Sequence, residues 1–517
     1  MNKMRKKTKI FSSILFVSLI FISIIMSSQI THSKTSTIQI NSNFNFLTPH
    51  VAIYIDNDGN FSDYGFPGTG ASNDPYRIEN YNITTVENIG IHISSASVYF
   101  KIQNCFVMSA VIGIDIYYCE EERATITNSI SNGISVIYSD SIEISNNLVH
   151  EGGPALINVD HSDNAIIDNN TLVSENGYSS STGIKIVDSD SSTISNNNIT
   201  RIRNGIYVDH CPSSLITNNL LSDLSNYGYG NGINVYSSDG TVVDNNICTE
   251  CDDFGIYVYS FGSVTVQKNT VTLSEYGIHI KTSTASLVKE NTCTQNQIGI
   301  YIESSETTLI EKNSLSLNQE GISVWSSDYV SVSDNYCYQN EQNGLWAGNS
   351  KSIFVTRNNC SSNLNAGIIL DTVTVSNITH NNISFNDYMG IILDTTSNCK
   401  FFNNLFNSND DYAVFIGSGC SGNVLSLNSF IDNNLEGISQ CFDSGNLNLW
   451  YNSKTKEGNY WNDLGENKTY AIDGLSNSID KYPLNKNLER ISLLFNVIII
   501  TLFVITLGSI QKRRKKK

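Results

Sequence analysis

Charge is scarce in this sequence. Only 15% of its 517 residues are Asp, Glu, Lys or Arg, while 40% are hydrophobic. That balance excludes the highly charged, apolar-poor composition of a disordered chain. Basic residues are scarcer still once the two ends are set aside. Lys3, Arg5, Lys6, Lys7 and Lys9 precede the first apolar run, and Lys512, Arg513, Arg514, Lys515, Lys516 and Lys517 finish the chain. Removing these eleven leaves 20 basic against 49 acidic residues, so the middle stands near −29 beneath a formal total of −18. So acidic a body repels nucleic acid, which excludes that partner. Met is rare, at 5, and the 8 His are scattered with no i, i+2 pair, so no clustered metal site is expected. L-x-x-L-x-L is missing, which excludes the leucine-rich repeat.

Long apolar runs occur at the ends. Ile10 to Ile30 follows a positive stretch, as a secretory signal does, and its length also suits an uncleaved anchor. Ile491 to Ile510 is about 20 residues, long enough to span a bilayer. The basic tail after it stays in the cytoplasm by the positive-inside rule. The expected layout is a signal peptide or signal anchor over 1–33, an N-terminal cap over 34–85, a repeat array over 86–445, a closing segment over 446–487, a transmembrane helix over 491–510 and a basic tail over 511–517. Partners are then the membrane and whatever the exported middle meets outside the cell.

What the middle does have is a period. Gly followed by an aliphatic residue recurs at Gly183, Gly205, Gly232, Gly255, Gly277, Gly299, Gly321, Gly344, Gly367 and Gly390, mostly 22 or 23 residues apart. An Asn column keeps step from Asn147 through Asn313 to Asn428, and a second runs from Asn296 to Asn433. Inside each unit the apolar residues alternate with period two, which means short strands. Stacking such units puts strand over strand in parallel, about 4.8 Å apart. The expected fold is all-β: a right-handed parallel β-helix of about 16 coils, roughly 75 Å long at that spacing. Stacked Asn amides can donate to the carbonyl of the next coil, and both Asn and Gly suit left-handed turns.

The Gly-Ile-x-Ile and Asn-Asn-x-Ile units resemble right-handed β-helix repeats of the NosD-like kind, related to the carbohydrate-binding and sugar-hydrolase β-helix group. "FPGTGASNDPYRIENYNI", Phe66 to Ile83, resembles the segment that leads into the first coil. "GNYWNDL", Gly458 to Leu464, with "DKYPL", Asp480 to Leu484, resembles the segment closing many archaeal members. Between those two motifs the family is often rich in Asp and Gly, like a calcium loop. Here "DGLSNSID", Asp473 to Asp480, has fewer acids. No cofactor is expected, with calcium at this stretch the one candidate left open. NosD-like proteins carry a copper label, which the scattered His and rare Met do not support.

Alternation sets the outward residues. One column reads Tyr207, Asn234, Tyr257, His279, Tyr301, Ser323, Trp346, Ile369 and Ile392. The next reads Asp209, Tyr236, Tyr259, Lys281, Glu303, Trp325, Gly348, Asp371 and Asp394. Aromatic faces stack on apolar sugar faces, and flanking carboxylates accept hydroxyl bonds. Tyr207, Tyr236, Tyr257, Tyr259, Tyr301, Trp325 and Trp346 are the candidate ligand-binding residues. Same-face packing that merely stabilises the sheet is the plainer alternative. Ile369 and Ile392 are apolar enough to call for cover by a loop or the closing segment.

For catalysis the candidates are His279, Lys281, Glu303, Asp371 and Asp394. The two Asp should stand roughly 5 Å apart, a retaining glycosidase separation. Gly-His-Gly is missing and basic residues are few, which weighs against a lyase. Cys248, Cys293, Cys337 and Cys360 each follow a ladder Asn by two residues and point inward. Cys248 and Cys293 are about 9.6 Å apart, beyond disulfide reach, whereas Cys337 and Cys360 lie on adjacent coils. Cys251 falls at a turn-column position. The expectation is mostly free, buried thiols. Glycosylation acceptors are spelled at Asn60, Asn82, Asn169, Asn198, Asn359, Asn377, Asn382 and Asn467.

The leading function is therefore a membrane-anchored extracellular protein that binds surface glycans or envelope components without catalysis, or acts as a spacer. One alternative is a polysaccharide lyase, hydrolase or epimerase working on the outer face. A second is an accessory role in metal-enzyme maturation, which requires a His/Met/Cys cluster.

Overall fold

The structure is a computed structural model that describes residues 47–485, apart from 151–152, 175–178 and 225–229. The expected leader, the apolar run at 491–510 and the basic tail lie outside the described residues. No described helix is long and apolar enough to cross a membrane. The chain divides into two units at Thr48 and Pro49, and every element below belongs to the unit that begins at Pro49.

That unit is a right-handed parallel β-helix of about 15 turns. One coil shows how the sequence builds it. Ile298–Glu303 forms a six-residue strand, Leu309–Glu311 and Ser314–Ser316 form three-residue strands, and turns join them. Each strand pairs in parallel with its equivalent one coil on: Ile300 with Ile322, Ile310 with Val332, Leu315 with Cys337. Repetition produces three long sheets, called here first, second and third in that order. Ile300, Ile302, Ile310 and Leu315 are fully buried. Each such aliphatic side chain contributes about 1.5–3 kcal/mol of gross burial free energy. A coil alone could not bury them, so stability comes from stacking.

The two-residue turn between the second and third sheets carries the first Asn ladder. Asn291 donates through Nδ2 to Oδ1 of Asn313 at 3.0 Å, and its backbone N–H donates to the same oxygen at 2.9 Å. Nδ2 also donates to the backbone oxygen of Val266 at 2.9 Å. This pattern repeats from Asn147 to Asn428. A second ladder runs from Asn296 to Asn433 between the third and first sheets. A serine ladder that the sequence reading did not find follows the first sheet: Ser283, Ser305 and Ser327 each offer a backbone N–H to the hydroxyl of the next member, ending on Ser350.

Two turn expectations need correction. The ladder Asn residues do not take the left-handed conformation. The residue before each does, whatever its type: Glu290, Lys312 and Asp334 have φ of 56°, 56° and 57°. Non-Gly residues held there cost roughly 1–2 kcal/mol each, and the ladder bonds beside them offset that cost. The repeating glycines are not left-handed either. A Cβ on Gly299 would lie 2.7 Å from the Gly321 backbone oxygen, 2.7 Å from Leu315 Cδ2 and 3.1 Å from Asn318 Nδ2. They are glycines because the ladder turn presses against the strand start and leaves no room.

Stacking extends past both ends expected from the repeats at 86 and 445. Ile53–Ile55 already pairs with Ile91–Ile93, and Tyr76–Glu79 and Tyr81–Thr84 complete that coil. Helix α1, Asp58–Asp63, is inserted there; its Asn57 cap accepts from the Gly59 N–H, and buried Phe61 stacks on Tyr76 at 4.9 Å. At the other end the closing segment finishes each ladder. Asn459 accepts from Asn428, and Asp480 accepts from the Asn459 N–H at 2.7 Å and from Trp461 Nε1 at 2.9 Å. Gln440 ends the second ladder by accepting from Asn433 and donating to Asp463. Phe406, Phe430, Trp461 and Tyr470 stack in turn at 4.9, 4.2 and 3.8 Å over the end of the core. Antiparallel pairing of Tyr470–Ala471 with Ile479–Asp480 breaks the parallel pattern.

Candidate functional site

The first sheet carries the expected columns in the expected register. Tyr207 pairs with Asn234, then Tyr257, His279, Tyr301, Ser323, Trp346, Ile369 and Ile392. Beside it run Asp209, Tyr236, Tyr259, Lys281, Glu303, Trp325, Gly348, Asp371 and Asp394. Ring centroids lie 5.2 Å apart for Tyr207–Tyr236, 5.5 Å for Tyr236–Tyr257 and 6.3 Å for Tyr236–Tyr259. Burial pushes the Tyr207 and Tyr301 hydroxyls up to about 12, so both stay protonated and able to donate.

Trp325 and Trp346 stack on each other on this face. Their ring centroids are 5.3 Å apart and their planes differ by 12°. Trp325 is 37% exposed and Trp346 is half-buried. Gly348 makes the arrangement possible: a Cβ there would sit 2.7 Å from atoms of both indoles.

His279 lies deeper than alternation suggests. It is 5% exposed, because Phe254, Tyr276, Tyr257 and Tyr301 surround it with ring centroids at 5.4, 5.4, 5.2 and 4.6 Å. Phe254 and Tyr276 were missed; both stand just before the repeating Gly and point outward too. His279 Nε2 lies 3.1 Å from a Glu303 carboxylate oxygen, and Lys281 Nζ lies 3.1 Å from the same atom. His279 Nδ1 has no hydrogen-bond partner. Burial pushes the imidazole down to about 4, against the opposite pull of Glu303. The trio is a compact charge cluster whose imidazole is roofed by rings rather than open to a substrate.

Asp371 and Asp394 pair in register on adjacent strands, away from that trio. Thr372 donates to Asp371 at 2.9 Å and Thr395 to Asp394 at 3.2 Å. Ile369 and Ile392 are half-buried, between Trp346 above and Phe415 below, and Phe415 stacks on Phe442 at 4.8 Å. A second aromatic strip was also missed. At a corner beside the first sheet, Tyr117 meets Tyr118 edge-on at 4.5 Å, and Tyr118 stacks on Tyr138 at 4.6 Å.

All eleven cysteines are free and buried. Cys337 and Cys360 are register partners and remain thiols. Cys251 is fully buried too, because its turn column faces inward. Burial pushes the Cys251 thiol up to about 12. Among the described residues one group of potential metal ligands stands together: Asp160, His161 and Asp188, the last two exposed. Asp480, in the stretch compared with a calcium loop, turns inward and is taken up by Asn459 and Trp461. Of the glycosylation candidates, Asn82, Asn169 and Asn467 are exposed, while Asn60, Asn198, Asn359, Asn377 and Asn382 are half-buried.

A family model described as periplasmic copper-binding protein (NosD) matches residues 51–230 and 177–320. One described as right handed beta helix region matches residues 276–434. No curated protein matches the chain. Among solved structures, the Dettilon tailspike protein gp208 is similar at 14% identity and a TM-score of 0.41, with 61% of this chain and 62% of the tailspike chain covered. The match thus spans less than two thirds of the tailspike. The periplasmic alginate epimerase AlgG is similar at 13% identity and a TM-score of 0.35, covering 77% of this chain and 82% of that one. An exopolygalacturonase from Thermotoga maritima is similar at 10% identity and a TM-score of 0.34, covering 62% and 93%.

Proposed function

The chain belongs to the family described as periplasmic copper-binding protein (NosD), and from that premise we propose that it is an exported β-helix that binds surface glycans along the first sheet. The observation that carries the reading is the Trp325–Trp346 pair, stacked with ring planes within 12° of parallel and set over a glycine that has no room for a side chain. A stacked indole pair whose Trp325 is exposed offers an aromatic surface to the apolar face of a sugar ring. Tyr257 and Tyr301 extend the aromatic column beside it. In the same proposal the apolar run 491–510 and its basic tail tether the β-helix to the membrane, with the β-helix outside.

Copper does not fit the residues present. Cu(I) takes thiolate and thioether ligands, and Cu(II) takes several imidazoles. Here every thiol is buried, and the Asp160–His161–Asp188 group offers one imidazole and two carboxylates.

The test is a glycan array probed with the full-length protein, the Trp325→Ala and Trp346→Ala variants, and Gly348→Ser. Wild-type binding that falls at least tenfold in all three variants, with unchanged circular dichroism, supports the platform. Silence of the wild type on every glycan refutes it. For the tether, carbonate extraction should leave the full chain in the membrane pellet and release a chain ending at residue 487.

A further inference from the structure

The Trp platform sits in an uneven field of charge. From Tyr257 to Ile392 and from Tyr259 to Asp394, the two outward columns contain one lysine, Lys281. Its ammonium is 3.1 Å from a Glu303 carboxylate oxygen, so that cation is already neutralised. On the other side of the indoles the same column continues through Gly348 to Asp371 and Asp394. At about 4.8 Å per strand, Asp371 stands roughly 10 Å and Asp394 roughly 14 Å from Trp325 along the sheet. Among the described residues no Lys, Arg or His pairs with either; their side-chain partners are the hydroxyls of Thr372 and Thr395. Glu320 borders the platform as well, bonded to the Ser323 hydroxyl and the Asn343 amide.

A sugar stacked on the indoles therefore leaves the following residues of its chain over two uncompensated carboxylates. A uronate polymer would bring a like charge to that stretch on every ring, whereas an amine-bearing polymer would bring the opposite one. Resting on the glycan reading above, we infer that this face selects amine-bearing glycans, such as glucosamine polymers, over uronate polymers. The Trp pair supplies stacking and Asp371 with Asp394 supplies the choice.

Three oligosaccharide probes test this with the full-length protein by calorimetry: glucosamine oligomers, their fully N-acetylated counterparts and galacturonate oligomers of equal length. The amine form should bind at least about tenfold tighter than the N-acetylated form, equivalent to about 1.4 kcal/mol, and the uronate should bind weakest. Asp371→Asn with Asp394→Asn, confirmed folded by circular dichroism, should bring the amine to N-acetyl ratio close to one. High salt should shrink the ratio in the wild type, since the Debye length falls to ~3 Å at 1 M. Equal affinity for the amine and N-acetylated forms overturns the inference, as does a uronate that binds as tightly as the amine, or an unchanged ratio in the double variant. In each of those cases Trp325-dependent binding would leave the glycan reading standing. Failure of every probe to bind in a Trp325-dependent way sinks that reading instead, and this inference with it.

Discussion

Replacing Asn313 by Leu tests the ladder directly. Asn313 is 1% exposed. Its Oδ1 accepts from the Asn291 backbone N–H at 2.9 Å and from Asn291 Nδ2 at 3.0 Å, and its Nδ2 donates to the Val288 oxygen and to Asn335 Oδ1, each at 2.9 Å. Leu has the same branched skeleton with bulkier ends, so no space opens for water, but it can neither donate nor accept. The Asn291 N–H loses its acceptor and the Val288 oxygen loses a donor. At about 1–3 kcal/mol for each buried group stripped of its partner, the loss is about 4 kcal/mol. Because a solenoid coil touches only its neighbours, the damage should stay local. Hydrogen exchange reads it best: protection of the Asn291 amide should fall about a thousandfold, at tenfold for each 1.4 kcal/mol. Gln319→Ala, on the exposed face close by, is the control and should stay within about 0.5 kcal/mol. Equal protection at Asn291 in the two variants would refute the claim that the ladder holds the coils together.

Three further outcomes follow from the same geometry. Gly299→Ala forces a Cβ to 2.7 Å from the Gly321 carbonyl oxygen and should destabilise by about 1–3 kcal/mol in thermal melts, whereas Gly153→Ala, with open space around it, should be neutral. His279 titrates near 4 when folded against an ordinary 6.5. The unfolded chain therefore binds the extra proton between those values, and stability should drain away as pH falls from about 6.5 to about 4, by at most about 3 kcal/mol; a His279→Phe variant should lose that slope in urea titrations at stepped pH. A thiol reagent should find none of the eleven cysteines in the native protein and all eleven after denaturation.

Much of this was written in the sequence. A 22-residue period and strict alternation suffice to place Tyr257, His279 and Tyr301 in one column, because side-chain direction in a strand depends only on parity. What parity does not carry is backbone angle and lateral crowding. The left-handed residues are Glu290, Lys312 and Leu317 as readily as Asn, so no residue type announces them. The repeating glycines answer a collision with the next turn of the solenoid, a constraint invisible until the coils are stacked. His279 was placed on the right face and at the wrong depth, since Phe254 and Tyr276 cover it in addition to the Tyr257 and Tyr301 rings that its own column supplies. The closing segment was visible, but its Asn459 was not seen as a rung because it follows Asn428 by 31 residues, outside the period that had identified the other rungs.

Asp480 and Gln440 terminate the hydrogen-bonded columns at one end, and buried Phe61 packs against Tyr76 at the first coil. Everything between those plugs is interchangeable in kind. Duplicating a stretch such as 299–320 would add one floor to the building while leaving its foundation and roof untouched, so descendants of this gene can change reach by whole storeys without relearning how to fold.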